Sequence, residues 1–179
     1  MFQRIILILL LIFSLQACSK NKEIEYESQN NIDPYKVYKE GYEAFERGDY
    51  FFANKKFSEA ELNFDVVEHA AKAAIMSSYA LYGISFYDES IENLERYIKK
   101  YPADKNIIYA HYLFAVIYYE QISDEKKDLQ PLLKATEKID FFVNKYPDSD
   151  YAIDLKFKKD LIQNQLAAKE LYVAKHYIK

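Results

Sequence analysis

The sequence predicts an all-α protein, an α-solenoid of stacked antiparallel helix pairs, and three observations carry that reading. Three glycines and four prolines in 179 residues leave little room for the turns that hairpins and sheets require. Small and apolar residues recur at helical spacing in three separate blocks. Each block also ends on similar punctuation, an aromatic residue that is followed by proline in the second and third blocks.

The first element is not part of that solenoid. Met1-Phe2-Gln3-Arg4 forms a short cationic start, and Ile5 to Phe13 is an unbroken apolar run. As a helix such a run rises about 13 Å against a hydrocarbon core of roughly 30 Å, so it reads as a secretory signal and not as a membrane span. It ends at Leu15-Gln16-Ala17-Cys18, which has the lipobox pattern of bacterial lipoproteins. Residues 1–17 are therefore expected to be cleaved, leaving Cys18 as residue one with a thioether-linked diacylglycerol and an N-acyl chain. Cys18 is the only cysteine of the chain, and an exported protein has little use for a lone unpaired thiol. Several acyl chains anchor stably where one does so marginally. Ser19 follows Cys18 in place of an aspartate that would favour retention in the inner membrane, so the expected location is the outer membrane, on its periplasmic face. Residues 18–32, polar and without periodicity, read as a lipidated flexible tether.

From residue 33 to 179 the chain reads as one helical repeat domain. Asp33-Pro34 is an N-cap followed by proline at the first helical position. On a 34-residue tetratricopeptide frame, Gly41, Ala53, Phe57 and Ala60 fall on positions 8, 20, 24 and 27, where small and apolar residues let two helices approach. Arg47-Gly48-Asp49 supplies the helix-ending glycine and the next cap. Ser90, Leu94 and Tyr97 repeat the pattern 37 residues later, and Ala135, Ile139 and Phe142 repeat it 45 after that. Position 31 is aromatic each time, at Phe64, Tyr101 and Tyr146, with Pro102 and Pro147 behind the last two. The longer second step implies an insertion in the third unit, placed in the charged stretch from Gln121 to Pro131. Asp148-Ser149-Asp150 then caps a last helical run, Tyr151 to Lys179. A solenoid normally closes on a polar capping element, so this domain reads as cut short.

Composition narrows the function. The formal charge of −4 becomes −5 once Arg4 is cleaved off, which excludes a basic nucleic-acid footprint. His69, His111 and His176 lie far apart without partners at ligand spacing, and no phosphate loop or nucleophile elbow is present. The reading is a binding scaffold and not an enzyme, with no cofactor beyond the lipid on Cys18. The charged pairs Glu59/Glu61, Lys99/Lys100 and Lys158/Lys159 read as solvated helix faces. Phe114 and Tyr118 read as core.

Stacks of this kind bind peptides on the face lined by the first helix of each pair, at frame positions 2, 5, 9 and 12. Those positions hold Tyr35, Tyr38, Tyr42 and Phe45, then Lys72, Ile75, Tyr79 and Tyr82, then Tyr109, Tyr112, Val116 and Tyr119. The candidate peptide groove is thus Tyr38, Tyr42, Tyr79, Tyr82, Tyr109, Tyr112 and Tyr119. Such rings offer rigid apolar area at little entropic cost, with hydroxyls for the backbone groups of an extended chain. The alternative is that most of them pack between adjacent helices.

At Tyr101-Pro102 through Tyr109-Ala110-His111-Tyr112-Leu113, at Lys145-Tyr146-Pro147-Asp148-Ser149-Asp150-Tyr151-Ala152 and at Asn164 to Tyr177, the chain resembles the BamD (ComL- or YfiO-like) outer-membrane assembly lipoproteins. Lys127-Asp128 sits where that family carries an Arg-Asp-bearing insertion. The resemblance implies a subunit of the machinery that folds and inserts β-barrel proteins. Its partners would be the barrel subunit, accessory lipoproteins and unfolded barrel proteins, the last received through their C-terminal signal on the first repeats. Family members usually continue with an arginine-glycine turn, a partner helix and another repeat, so docking to the barrel subunit stays open for the sequence ending at Lys179. The rival reading is a tetratricopeptide lipoprotein adaptor that regulates peptidoglycan synthesis or cell division.

Overall fold

A computed structural model describes residues 32–122 and 129–178. Cys18, the signal and almost all of the tether lie outside the described residues, as does part of the inserted stretch. Seven helices follow one another among the described residues: α1 (Pro34–Glu46), α2 (Tyr50–Asn63), α3 (Val67–Gly83), α4 (Tyr87–Lys100), α5 (Ile107–Glu120), α6 (Gln130–Lys145) and α7 (Asp150–Tyr177). Each packs on its neighbours in sequence, and α3 also touches α5, as α5 touches α7. The first helices of successive pairs therefore line up side by side, and the fold is the tetratricopeptide-like solenoid that the periodicity predicts.

Local chemistry sets the boundaries. Asp33 Oδ1 accepts from the Tyr35 amide at 3.0 Å, Asp49 Oδ1 from Phe52 at 3.2 Å, and Ser149 Oγ from Tyr151 at 3.3 Å, each satisfying an otherwise orphaned N–H. Gly48, at φ +78°, ends α1, with Asp49 N donating to Ala44 O and Gly48 N to Phe45 O, the paired bonds of a left-handed helix end. The same pair of bonds recurs 37 residues on, from Phe86 N to Leu81 O and Ser85 N to Tyr82 O. There the left-handed position is held by Ser85, at φ 60°. A side chain in that region costs energy that glycine does not incur. Ser85→Gly is expected to raise stability by about 1 kcal/mol, read as a higher midpoint in urea.

The frame residues make the core. Ala53, Phe57 and Ala60, then Ser90, Leu94 and Tyr97, then Ala135, Ile139 and Phe142 are all fully buried. A Cβ on Gly41 would stand 3.0 Å from the Phe57 ring, which is why position 8 of the first unit carries no side chain. The turns 47–49 and 84–86 are short, whereas 121–129 separates α5 from α6, so the extra length of the third unit falls where the longer repeat step puts it.

Two expectations fail. Glu61 is not on a solvated face: it is 4% exposed and binds α4 to α2. Arg96 grips it in a fork, Nη1 to Oε1 at 2.5 Å and Nη2 to Oε2 at 2.8 Å. Lys100 Nζ at 3.1 Å and the Tyr101 hydroxyl at 2.9 Å donate to the same Oε1. Its partners lie 35 to 40 residues away, so no local pattern could announce them. Burial alone would raise its pKa, but these donors reverse that and hold the carboxyl below its ordinary value. Likewise Lys158 stands over the Tyr119 ring at 4.8 Å, and Lys159 reaches Asp140 on α6 at 2.5 Å. Phe114 and Tyr118, read as core, do pack against it, though half-buried, and meet edge to face at 5.2 Å.

Candidate polypeptide-binding groove

The first helices α1, α3 and α5 present the residues read as groove positions, and the structure sorts them into groups. Ile75 and Val116 are buried and belong to the core. Tyr38 is half-buried, its ring 5.2 Å from Phe57 and 6.3 Å from Phe64, with the Lys72 ammonium 5.5 Å above it. It packs mainly inside the first pair. Tyr42 is exposed on α1. Tyr35 meets Phe64 and His69 edge-on at 5.0 and 5.3 Å.

Tyr79, Tyr82, Tyr109 and Tyr112 come together. Tyr79 stacks on Tyr82 at 6.0 Å and meets Tyr109 edge-on at 6.2 Å, and Tyr109 lies 6.1 Å from Tyr112. Phe45 extends this run onto α1, 5.5 Å from Tyr79. Tyr151 extends it onto α7, 5.8 Å from Tyr109 and stacked on Tyr112 at 4.5 Å. One connected run of rings thus crosses all four first helices. The stacked pairs Tyr79–Tyr82 and Tyr112–Tyr151 and the edge-on pair Tyr79–Tyr109 gain about 1 kcal/mol each beyond burial, which helps to set the surface before anything binds. Tyr119 stands apart, under Lys158. The frame reading missed Tyr151, which opens the fourth first-helix and sits in the quoted Tyr146-to-Ala152 motif. It is 38% exposed.

The hydroxyls of Tyr109 and Tyr112 stay protonated. Burial raises the Tyr109 pKa most, with neighbouring tyrosines adding to it. Burial and then the bond to Asp154 raise that of Tyr112, whose hydroxyl donates to Asp154 Oδ2 at 2.9 Å. The surface is a set of apolar faces edged with hydroxyls, able to contact side chains and backbone groups of an extended chain. Among the described residues no cluster of side chains is arranged to hold a metal ion.

A family model described as an outer membrane lipoprotein, YfiO, matches residues 30–179. The chain belongs to this family. Among its curated relatives, an outer membrane protein assembly factor BamD of Caulobacter vibrioides is 33% identical over 143 residues, 80% of this chain and 47% of the relative. The BamD of Rickettsia prowazekii is 31% identical over 80% of this chain and 57% of its own length. That of Neisseria meningitidis serogroup A is 24% identical over 99% of this chain and 71% of its own. The chain therefore spans about half the length of the first two relatives. The YfiO match covers the whole described solenoid, and with it every ring of the run.

Proposed function

We propose that this chain is a lipid-anchored, periplasm-facing scaffold of the outer-membrane β-barrel assembly machinery, one that holds unfolded barrel segments on the run of rings. Its relatives' role as assembly factors supports the reading, and the observation that carries it is the connected run Phe45, Tyr79, Tyr109, Tyr112 and Tyr151 across four helices. An extended barrel strand offers alternating apolar side chains to such a surface. Partners in this reading are the barrel subunit, accessory lipoproteins and unfolded barrel proteins. The anchor is the lipid on Cys18, and the chain performs no catalysis.

The test replaces the two rings at the accessible parts of the run. Tyr79→Ala and Tyr151→Ala are each expected to weaken binding of a barrel protein's C-terminal peptide by about fivefold, the 1 kcal/mol that marks a useful interface residue. Circular dichroism should remain unchanged. Melting without selective loss of affinity would make the rings structural and leave the groove elsewhere. Co-purification of the membrane form with a cell-wall synthase and not with a barrel protein would favour the peptidoglycan adaptor instead.

For the anchor, Cys18→Ser is expected to abolish acyl labelling and release the protein from the membrane fraction. Retention of that variant in the membrane would reject lipidation at this residue.

A further inference from the structure

The two junctions between units are built from the same frame positions but close differently. Between the first and second units the contact is polar. Ser77 Oγ donates to Asn54 Oδ1 at 2.6 Å and accepts from Asn93 Nδ2 at 3.2 Å, and Ser58 joins at 3.0 Å. Beside them Glu61 meets Arg96. Shifted by the repeat steps of 37 and 45, the positions of Ser58, Ser77 and Asn93 become Glu95, Phe114 and Lys138, and the Glu61–Arg96 pair becomes Ile98 and Phe141. Ala74 becomes His111. Of that set only Glu95 and Lys138 could pair, and Lys138 turns to Glu137 instead, at 2.9 Å. A cleft of about 250 Å³ opens there, lined by Glu95, Ile98, His111, Phe114, Glu137, Lys138 and Phe141.

The cleft is apolar at its floor and charged at its edges. His111 lies between Phe141 at 5.4 Å and Tyr146 at 5.6 Å, and burial, with Lys145 nearby, lowers its pKa to about 4, so it is neutral at ordinary pH. Phe141 is 48% exposed at the rim. The α4 edge carries Asp88, Glu92 and Glu95, exposed on successive turns, and Glu95 makes no ion pair among the described residues. The α6 edge carries Lys134, Lys138 and Lys145. There Lys138 pairs with Glu137 at 2.9 Å and stands 5.9 Å over Phe114, while Lys145 stands 5.1 Å over Phe141. The negative charge left without a partner is thus on α4.

We propose that this cleft receives a helix of a partner protein, which buries one bulky apolar side chain among Ile98, Phe114 and Phe141 and sets a row of basic residues against Asp88, Glu92 and Glu95. Acids one turn apart on α4 match basic residues one turn apart on a helix lying along it, the arrangement in which a helix anchors in a groove. A cleft of this volume takes a single large side chain, the kind of anchor that dominates interface energy. The cations of α6 face the opposite flank of that helix, which is accordingly neutral or acidic.

Three stapled helical peptides test this against the full chain by fluorescence anisotropy. The first carries a central phenylalanine and a lysine flank, the second alanine for the phenylalanine, and the third glutamates for the lysines. The first is expected to bind saturably, with the second and third weaker by about tenfold each. Glu95→Lys should weaken the first peptide by about the same factor and favour the third, while Glu170→Lys, on exposed α7 surface, should change neither. Both variants should keep their circular dichroism, since both positions are exposed. No saturable binding, equal affinity of the phenylalanine and alanine peptides, or an equal loss in Glu170→Lys would overturn the proposal.

Discussion

Replacing Phe57 by alanine is expected to cost about 4 kcal/mol of unfolding free energy, the largest effect of any single truncation in the first unit. Its ring is fully buried, 5.2 Å from Tyr38 and 6.5 Å from Phe45, and it fills the space that Gly41 leaves on the facing helix. The buried residues clustered with it, Ala44, Ala53 and Ala80, are too short to move into the void, which leaves only the half-buried Tyr38, Phe45, Tyr50 and Met76 to relax towards it. The site therefore collapses only in part, and a cavity term adds to the lost transfer energy. A urea titration should show a lower midpoint with an unchanged slope. A loss below about 1 kcal/mol would mean that the ring does not hold the first pair together.

The second large effect is expected at Glu61. Glu61→Gln keeps the shape but removes the charge that Arg96, Lys100 and Tyr101 converge on. Breaking a buried pair costs several kcal/mol when the stranded charge is also buried. Here Arg96 and Lys100 are 42% and 50% exposed and recover hydration, so the expected loss is about 2 kcal/mol at neutral pH. The pH dependence has a definite sign. The Glu61 pKa is lower in the folded protein than in the unfolded chain, so its contribution is complete above the unfolded value and fades as pH falls through the folded one. Wild type and Glu61→Gln should therefore converge in acid. Urea titrations of both proteins at neutral pH and in acid check this, and a gap that stays constant would show that Glu61 does not act through its charge.

The periodic part of the fold was legible in the sequence. Ala53, Phe57 and Ala60 and their two sets of counterparts recur at helical spacing because two helices can pack closely only where small residues face large ones. Gly48, Pro102 and Pro147 mark helix ends because each constrains the backbone of its own neighbourhood. These are local rules, and they hold wherever the chain goes next. The insertion was legible for the same reason, since a repeat step of 45 after one of 37 has to be accommodated in a turn.

The tertiary structure decided what the same rules leave open, namely which face of each helix meets which neighbour. Position 5 of the first unit, Tyr38, turns its ring into the pair, while position 9 of the second, Tyr79, joins a surface run. Tyr151 enters that run from a fourth helix whose placement depends on α5 and α6 together. Glu61 looked solvated because its charge is visible in the sequence while its partners, 35 to 40 residues away, are not. The cleft at Phe114 and Phe141 likewise follows from exchanging polar for apolar residues at equivalent positions on three helices at once. Helix formation depends on residues three and four apart, so a short window of sequence contains its cause. A groove, a buried ion pair or a cleft depends on how separately folded helices cross, and that is set only when all of them pack.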